Sequence, residues 1–288
     1  MDYVAPHEVV VNALAVAKKK AELPVRDLIL RGILAGALLG YATSLAQIVV
    51  SQGVPAIVGA ILFPAGFVVL VLLGLELATG NFALLPLAAM TGDVSLRAMF
   101  RNWAWVYLGN LAGSLLYAAL FYLAITNCGV SDGGALGELV RQAAQKKTLA
   151  YMALGTQGWL TAMVKAVLCN WMVTLGALLA LVSRSTFGKV VAMWLPIMMF
   201  FALGYEHSIV NMYVIPAGRM LGAPISMGKW WLWNQIPVTL GNIFAGVVLT
   251  AWAFYATYHT KPSSAPAEPA LARPLVPTAL ATEPARLA

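Results

Sequence analysis

Glu76 and Asn81 stand five residues apart inside an apolar stretch, and Glu206 and Asn211 repeat the pair at the same interval inside another. Each glutamate follows a glycine by two residues, in Gly74-Leu75-Glu76 and Gly204-Tyr205-Glu206. A carboxylate in hydrocarbon is costly enough that it is either functional or tightly paired. Carboxylates accept hydrogen bonds and asparagines both donate and accept, so these four residues read as braces for irregular backbone. His207 follows Glu206 directly, and Leu77 holds the matching place in the first copy. Two roles are open to this histidine: a neutral ring hydrogen-bonded into the loop, or a proton-handling group balanced between desolvation and an adjacent carboxylate or passing anion. Thr79 and Asn170 offer hydrogen bonds to a small polar solute. The helix that starts near Thr79 would also turn its positive dipole end toward an anion. Phe63, Phe67, Val173 and Phe200 lie around these groups, and taken alone they read as packing or lipid-facing residues.

Other chemistries lack their parts. Glu206-His207 is not a His-Glu-x-x-His zinc helix, and neither a phosphate-binding Gly-x-x-x-x-Gly-Lys nor a Gly-x-Ser-x-Gly elbow occurs. Intramembrane hydrolysis lacks a nucleophile and base, so no enzyme and no bound metal or cofactor is expected. The two cysteines, Cys128 and Cys169, read as small packing residues rather than a disulfide framework or a metal site.

The elements that position these groups are set by composition. The 288 residues are 61% hydrophobic and 10% charged, with a mean hydropathy of +0.81, which marks an integral membrane protein. The polar opening, Met1 to Glu8, carries no short apolar core with a small-residue cleavage site, so the first span is expected to act as an uncleaved insertion signal.

Apolar stretches fall near 28–50, 55–92, 103–126, 158–183, 190–224 and 232–257. The second and fifth are too long for one plain crossing of about 20 residues. Each holds a Glu/Asn pair and helix-interrupting residues: Pro64, Gly80 and Pro86, then Pro196, Gly204 and Pro216. Counting each as one broken crossing gives six spans. One side then receives Lys18, Lys19, Lys20, Arg26, Arg31, Arg97, Arg101, Arg184, Lys189, Lys261, Arg273 and Arg286, against Arg141, Lys146, Lys147, Arg219 and Lys229 opposite. This bias predicts cytoplasmic N- and C-termini in a cell membrane, inner or plasma. It also accounts for the net charge of +7, so no nucleic-acid partner is expected.

The duplication extends further. Val106-Tyr107-Leu108-Gly109-Asn110 recurs as Val238-Thr239-Leu240-Gly241-Asn242, and Arg31 to Gly36 is echoed more weakly by Lys165 to Asn170. Three crossings per half make the second half inverted relative to the first, an arrangement recurrent in transporters, with half-helix ends at the midplane. The expected fold class is therefore an all-α membrane protein of six helices in two inverted three-helix repeats, the second and fifth helices broken. Residues 1–26 form an amphipathic N-terminal helix on the cytoplasmic membrane surface, 27–258 the pore domain, and 259–288 a disordered cytoplasmic tail rich in Pro, Ala and Ser.

Leu75-Glu76-Leu77-Ala78-Thr79-Gly80-Asn81, Cys169 to Val173, Gly204 to Met212 with its Glu-His-Ser-x-x-Asn-Met element, and Thr239 to Asn242 together resemble the formate/nitrite transporter family, over about residues 5 to 258. The resemblance implies a homopentamer with aquaporin-like protomers in the lipid bilayer. Each protomer would hold its own pore for a small monovalent anion or its conjugate acid. It implies passive or proton-coupled transport, with formate the leading substrate and nitrite or hydrosulfide as alternatives; a non-transporting scaffold or sensor is the competitor of a different class. By motif position, His207 would be the central pore histidine with Thr79 and Asn170 near it. Phe63, Phe67, Leu77, Ala78, Val173 and Phe200 would fall at constrictions, Ala78 where the family usually has an aromatic residue. Lys20 would match the first of two vestibule lysines. The equivalent position in the second half is Leu154, which leaves Lys146, Lys147 and Lys165 as candidates for the other.

Overall fold

A computed structural model describes residues 2–259, and all its regular elements are helices apart from one isolated bridge between Tyr3 and Ser183. The tail expected over 259–288 lies almost wholly outside the described residues. In chain order the helices are α1 (Pro6–Glu22), α2 (Val25–Ser51), α3 (Ala56–Leu72), α4 (Ala78–Met90), α5 (Leu96–Ile125), α6 (Gly134–Lys146), α7 (Leu149–Ala153), α8 (Gly155–Leu179), α9 (Thr186–Ala202), α10 (Ser208–Met220) and α11 (Met227–Tyr258). Four of them, α2, α5, α8 and α11, are long and apolar enough to cross a membrane. By contrast α3, α4 and α9 are apolar but too short to cross alone.

Helices stop at Leu72 and Ala202 and resume at Ala78 and Ser208. Gly74 and Gly204 turn the chain at each stop with φ of 64° and 67°, a left-handed conformation that a Cβ would disfavour. The following residues, Leu75 to Leu77 and Tyr205 to His207, have no regular structure. α3 is also interrupted at Phe63, because Pro64 has no N–H to continue the ladder.

Close helix contact holds the frame around these breaks. Gly32, Gly36 and Gly40 of α2 face Gly109, Asn110 and Tyr117 of α5 so closely that a Cβ at Gly36 would meet the Asn110 carbonyl oxygen. Gly241 of α11 likewise lies against the Met163 carbonyl and Ala166 of α8. Small residues let backbones approach where lipid offers no hydrophobic drive between helices. α11 carries π-helical turns at Trp231–Gln235 and Ala245–Trp252, and Asn234 and Gln235 of the first are fully buried.

Two expectations meet a different environment. The apolar face of α1 is covered by protein: Val9, Val10, Ala13 and Ala17 are buried in a cluster with Leu84, Leu85, Leu87 and Ala88 of α4. An apolar stripe reads the same from sequence whether lipid or protein covers it. Cys128 is exposed in a turn with φ of 58°, not a packing residue, whereas Cys169 is buried in α8. The local signal for that turn is Asn127-Cys128-Gly129, with left-handed backbone at all three.

Candidate functional site

At the first break Glu76 accepts from Asn81 Nδ2 at 2.7 Å and from Lys20 Nζ at 2.7 Å. Asn81 also donates to Asn102 Oδ1 at 2.8 Å, and Asn102 donates to the Lys20 carbonyl at 3.0 Å. At the second break Glu206 accepts from Asn211 Nδ2 at 2.7 Å and from Lys147 Nζ at 2.9 Å. Asn211 donates to Asn234 Oδ1 at 2.9 Å, and Asn234 donates to the Lys147 carbonyl at 2.7 Å. The same four hydrogen bonds therefore close around each break. Tyr151 adds one at the second, donating to Glu206 Oε1 at 2.8 Å.

Asn110 and Asn242 complete the parallel. Asn110 donates to the Gly32 and Glu76 carbonyls and accepts from the Ala78 N–H at 2.9 Å. Asn242 donates to the Ala166 and Glu206 carbonyls and accepts from the Ser208 N–H at 2.9 Å. Backbone groups at a break have no intrahelical partner, and these amides supply one.

The two breaks meet at Thr79 and His207, where Thr79 Oγ1 lies 3.1 Å from His207 Nε2. The Val210 N–H donates to His207 Nδ1 at 3.2 Å, so Nδ1 is unprotonated and caps α10. The ring proton then sits on Nε2 and donates to Thr79 Oγ1. Thr79 keeps its own O–H free to donate elsewhere. Leu77, at the corresponding start of α4, offers no side-chain cap. Histidine thus gives the second break both a cap and an inward N–H that the first lacks.

Apolar groups enclose this pair. The Phe200 ring lies 5.7 Å from the His207 ring at an interplanar angle of 19°, and Phe63 meets Phe200 edge-on at 5.6 Å and stacks on Phe201 at 4.0 Å. Val173 and Ala78 are fully buried. Phe67 and Leu77 line a cavity of about 320 Å³ on the α1 side, which also includes Lys20, Gly80 and Asn81. Asn170 faces Thr79 through its backbone: Nδ2 donates to the Thr79 carbonyl at 3.1 Å and the Asn242 carbonyl at 2.7 Å. Its Oδ1 is buried without a partner.

The lysine candidates separate. Lys147 reaches Glu206, Lys146 is exposed, and Lys165 lies 5.8 Å over the Tyr151 ring while its carbonyl accepts from the Glu206 N–H. Lys147 sits 127 positions after Lys20, whereas the other matched residues are offset by 130 to 134. A search at fixed offset therefore lands on Leu154, which is exposed. Asn102, Asn234 and Tyr151 were not among the expected site residues. The first two share the 132-residue offset of Asn110 and Asn242, a signal that could have found them.

A helical membrane protein with two helix breaks meeting at a buried, aromatic-enclosed polar pair is a channel or transporter by class. A family model described as formate/nitrite transporter matches residues 7–256, and the chain belongs to that family. It is 35% identical over 260 residues to a "Probable formate transporter" of Methanothermobacter thermautotrophicus, covering 85% of this chain and 93% of that one. It is 32% identical over 224 residues to the formate channel FocA of Escherichia coli K12, covering 70% and 75%. Among solved structures, an "FNT family ion channel" matches with a TM-score of 0.73 at 26% identity, over 89% of this chain and 98% of that one. A "Pentameric formate channel with formate bound" matches with a TM-score of 0.67 at 28% identity, over 82% and 98%. These relatives are transporters and channels rather than enzymes.

Proposed function

We propose that the chain moves a small monovalent anion, formate first among the candidates, across the cell membrane together with a proton. The observation that carries this reading is the Thr79–His207 pair at the meeting of the two breaks, buried and walled by aromatic side chains. α3 with α4, and α9 with α10, would each make one broken crossing, giving six crossings in two inverted triplets. The matched hydrogen bonds around Glu76 and Glu206 support that arrangement. The bias of basic residues supports cytoplasmic termini, and the pentameric relative makes a homopentamer the proposed assembly.

Hydrated ions cannot pass an apolar constriction cheaply, and formate that sheds water there becomes a stronger base. Thr79 Oγ–H can then donate a hydrogen bond to a formate oxygen, polarised by the one it accepts from His207 Nε2–H, while the proton that neutralises the formate comes from water on the entry side, so that the solute crosses Leu77, Phe63 and Phe200 neutral or nearly so. Phe67, Ala78 and Val173 complete the apolar walls, and Asn170 holds the Thr79 backbone in place. Glu76 and Glu206, with Asn81 and Asn211, brace the breaks rather than touch the solute, and Lys20 and Lys147 neutralise the two carboxylates.

The test is a proteoliposome uptake panel with labelled formate, and with nitrite and hydrosulfide as competitors. Formate uptake above that of empty vesicles is expected, with weaker competition from the other two. Stronger uptake of nitrite or hydrosulfide would reassign the substrate, and absence of flux for all three would overturn the reading.

A further inference from the structure

Between α5 and α11 an outward-opening groove of about 550 Å³ is walled by Phe82, Phe100, Trp103 and Trp231 and rimmed by exposed Ile236 and Leu240. Its floor is polar. Tyr107 Oη lies 2.8 Å from Thr239 Oγ1, and Gln235 Nε2 donates to Tyr107 Oη at 2.7 Å. Gln235 Oε1 is taken by Trp230 Nε1 at 3.2 Å. Two hydroxyls facing each other share only one hydrogen, so one O–H, of Tyr107 or of Thr239, is left over. Thr43 and Thr174 donate to the carbonyl four residues back, but Thr239 makes no such bond, and among the described residues neither hydroxyl of the floor has another acceptor. An O–H turned toward hydrocarbon without an acceptor is costly.

Tyr107 and Thr239 hold the same place in the two repeats, 132 positions apart. Equivalent residues of inverted halves touch only where the axis relating them passes, and that axis lies in the membrane plane at mid-depth. This depth rests on the six-crossing arrangement proposed above. A hydrocarbon core of about 30 Å puts phospholipid esters roughly 15 Å from the floor, so a lipid acyl chain would bring no acceptor to it.

We propose that the groove binds an uncharged, membrane-dissolved ring compound with a carbonyl oxygen and an apolar tail, of the isoprenoid quinone class. The carbonyl accepts the spare O–H, the ring packs among Phe100, Trp103 and Trp231, and the tail leaves over Ile236 and Leu240 into the bilayer. The site is separate from the Thr79–His207 pair but backs onto both breaks. Trp103 Nε1 donates to the Asn81 carbonyl at 3.0 Å, and Gln235 Nε2 donates to the Ser208 carbonyl at 3.4 Å.

Titration of the full chain in lipid nanodiscs with decyl-p-benzoquinone, followed by quenching of tryptophan fluorescence, tests this. Wild type should quench saturably above empty discs mixed with free tryptophan. Ala104→Phe, which fills the groove from an exposed position, should weaken binding at least tenfold, and Leu120→Phe, exposed further along α5, should bind as wild type does. Decylbenzene, with the same ring and tail but no carbonyl, should displace the quinone about fivefold less well than unlabelled quinone does, the worth of one hydrogen bond. Equal displacement would mean that the groove takes any alkyl chain and would overturn the proposal. So would unchanged binding in Ala104→Phe, or no saturable site in wild type, the result expected if a neighbouring protomer covers the groove. The titration requires no flux, so a failure of formate transport would leave its outcome intact.

Discussion

His207 is the residue where the two breaks differ in chemistry. Its Nδ1 is committed to the Val210 N–H and its Nε2–H to Thr79, so the ring is held as one neutral tautomer and its proton points at the threonine hydroxyl. His207→Asn keeps a polar group but loses the ring whose Nε2–H donates to Thr79, and it should alter the pH dependence of formate flux while leaving assembly intact. A pH profile indistinguishable from wild type, measured on the same vesicles, would remove the proton role. Lys147 makes a second prediction at this scale. Its partner Glu206 is buried, and stripping one member of a buried pair leaves an uncompensated charge that costs about 3–5 kcal/mol. Lys147→Ala should therefore lower the thermal unfolding midpoint in detergent sharply, and exposed Lys146→Ala should not move it beyond about 0.5 kcal/mol. Equal midpoints would show that Glu206 relies on Tyr151 and Asn211 instead.

Among the elements, the breaks were legible in the sequence because a stretch near 55–92 is too long for one span and holds Gly and Pro where a helix must stop. Their bracing glutamates and asparagines were legible as a repeat for the same reason. The Thr79–His207 contact was not, since it joins residues 128 apart that meet only when both breaks face each other. Lys147 was legible only as one of three candidates, because the connector with α6 and α7 shifts its register and no helical period carries across loops. α1 illustrates a further limit: periodicity revealed its apolar face but not that α4 covers it. The start of the chain is fixed by Asp2, whose carboxylate accepts from Ser183 Oγ and from the Arg184 and Ser185 N–H groups. These bonds, led by that from Ser183, hold its pKa below the ordinary 3.8. A lowered value means the attachment is complete above 3.8 and is lost as pH falls through the depressed value. Hydrogen exchange at the Val4, Arg184 and Ser185 amides should thus be slow at neutral pH and rise only below 3.8. Asp2→Asn should raise it at neutral pH, and unchanged exchange in that variant would show that the Val4–Val182 backbone bond suffices alone.

For the whole molecule, membership of the formate/nitrite transporter family and the fold likeness to a pentameric formate channel set the frame. Exposed apolar side chains along the long helices, such as Leu116, Leu120, Leu160, Val164 and Trp252, leave ample surface for lipid and for neighbouring protomers. Native mass spectrometry from detergent should give five copies per particle; a monomer active in vesicles would show that each protomer's pore needs no neighbour. The central claim is that formate and a proton cross together past Thr79 and His207. The direct measurement is internal pH in proteoliposomes given an inward formate gradient, recorded against empty vesicles of the same lipid. The account predicts that vesicles holding the protein acidify faster than empty ones and that His207→Asn narrows the difference. Formate entry without added acidification, or no entry above the empty vesicles, would contradict it.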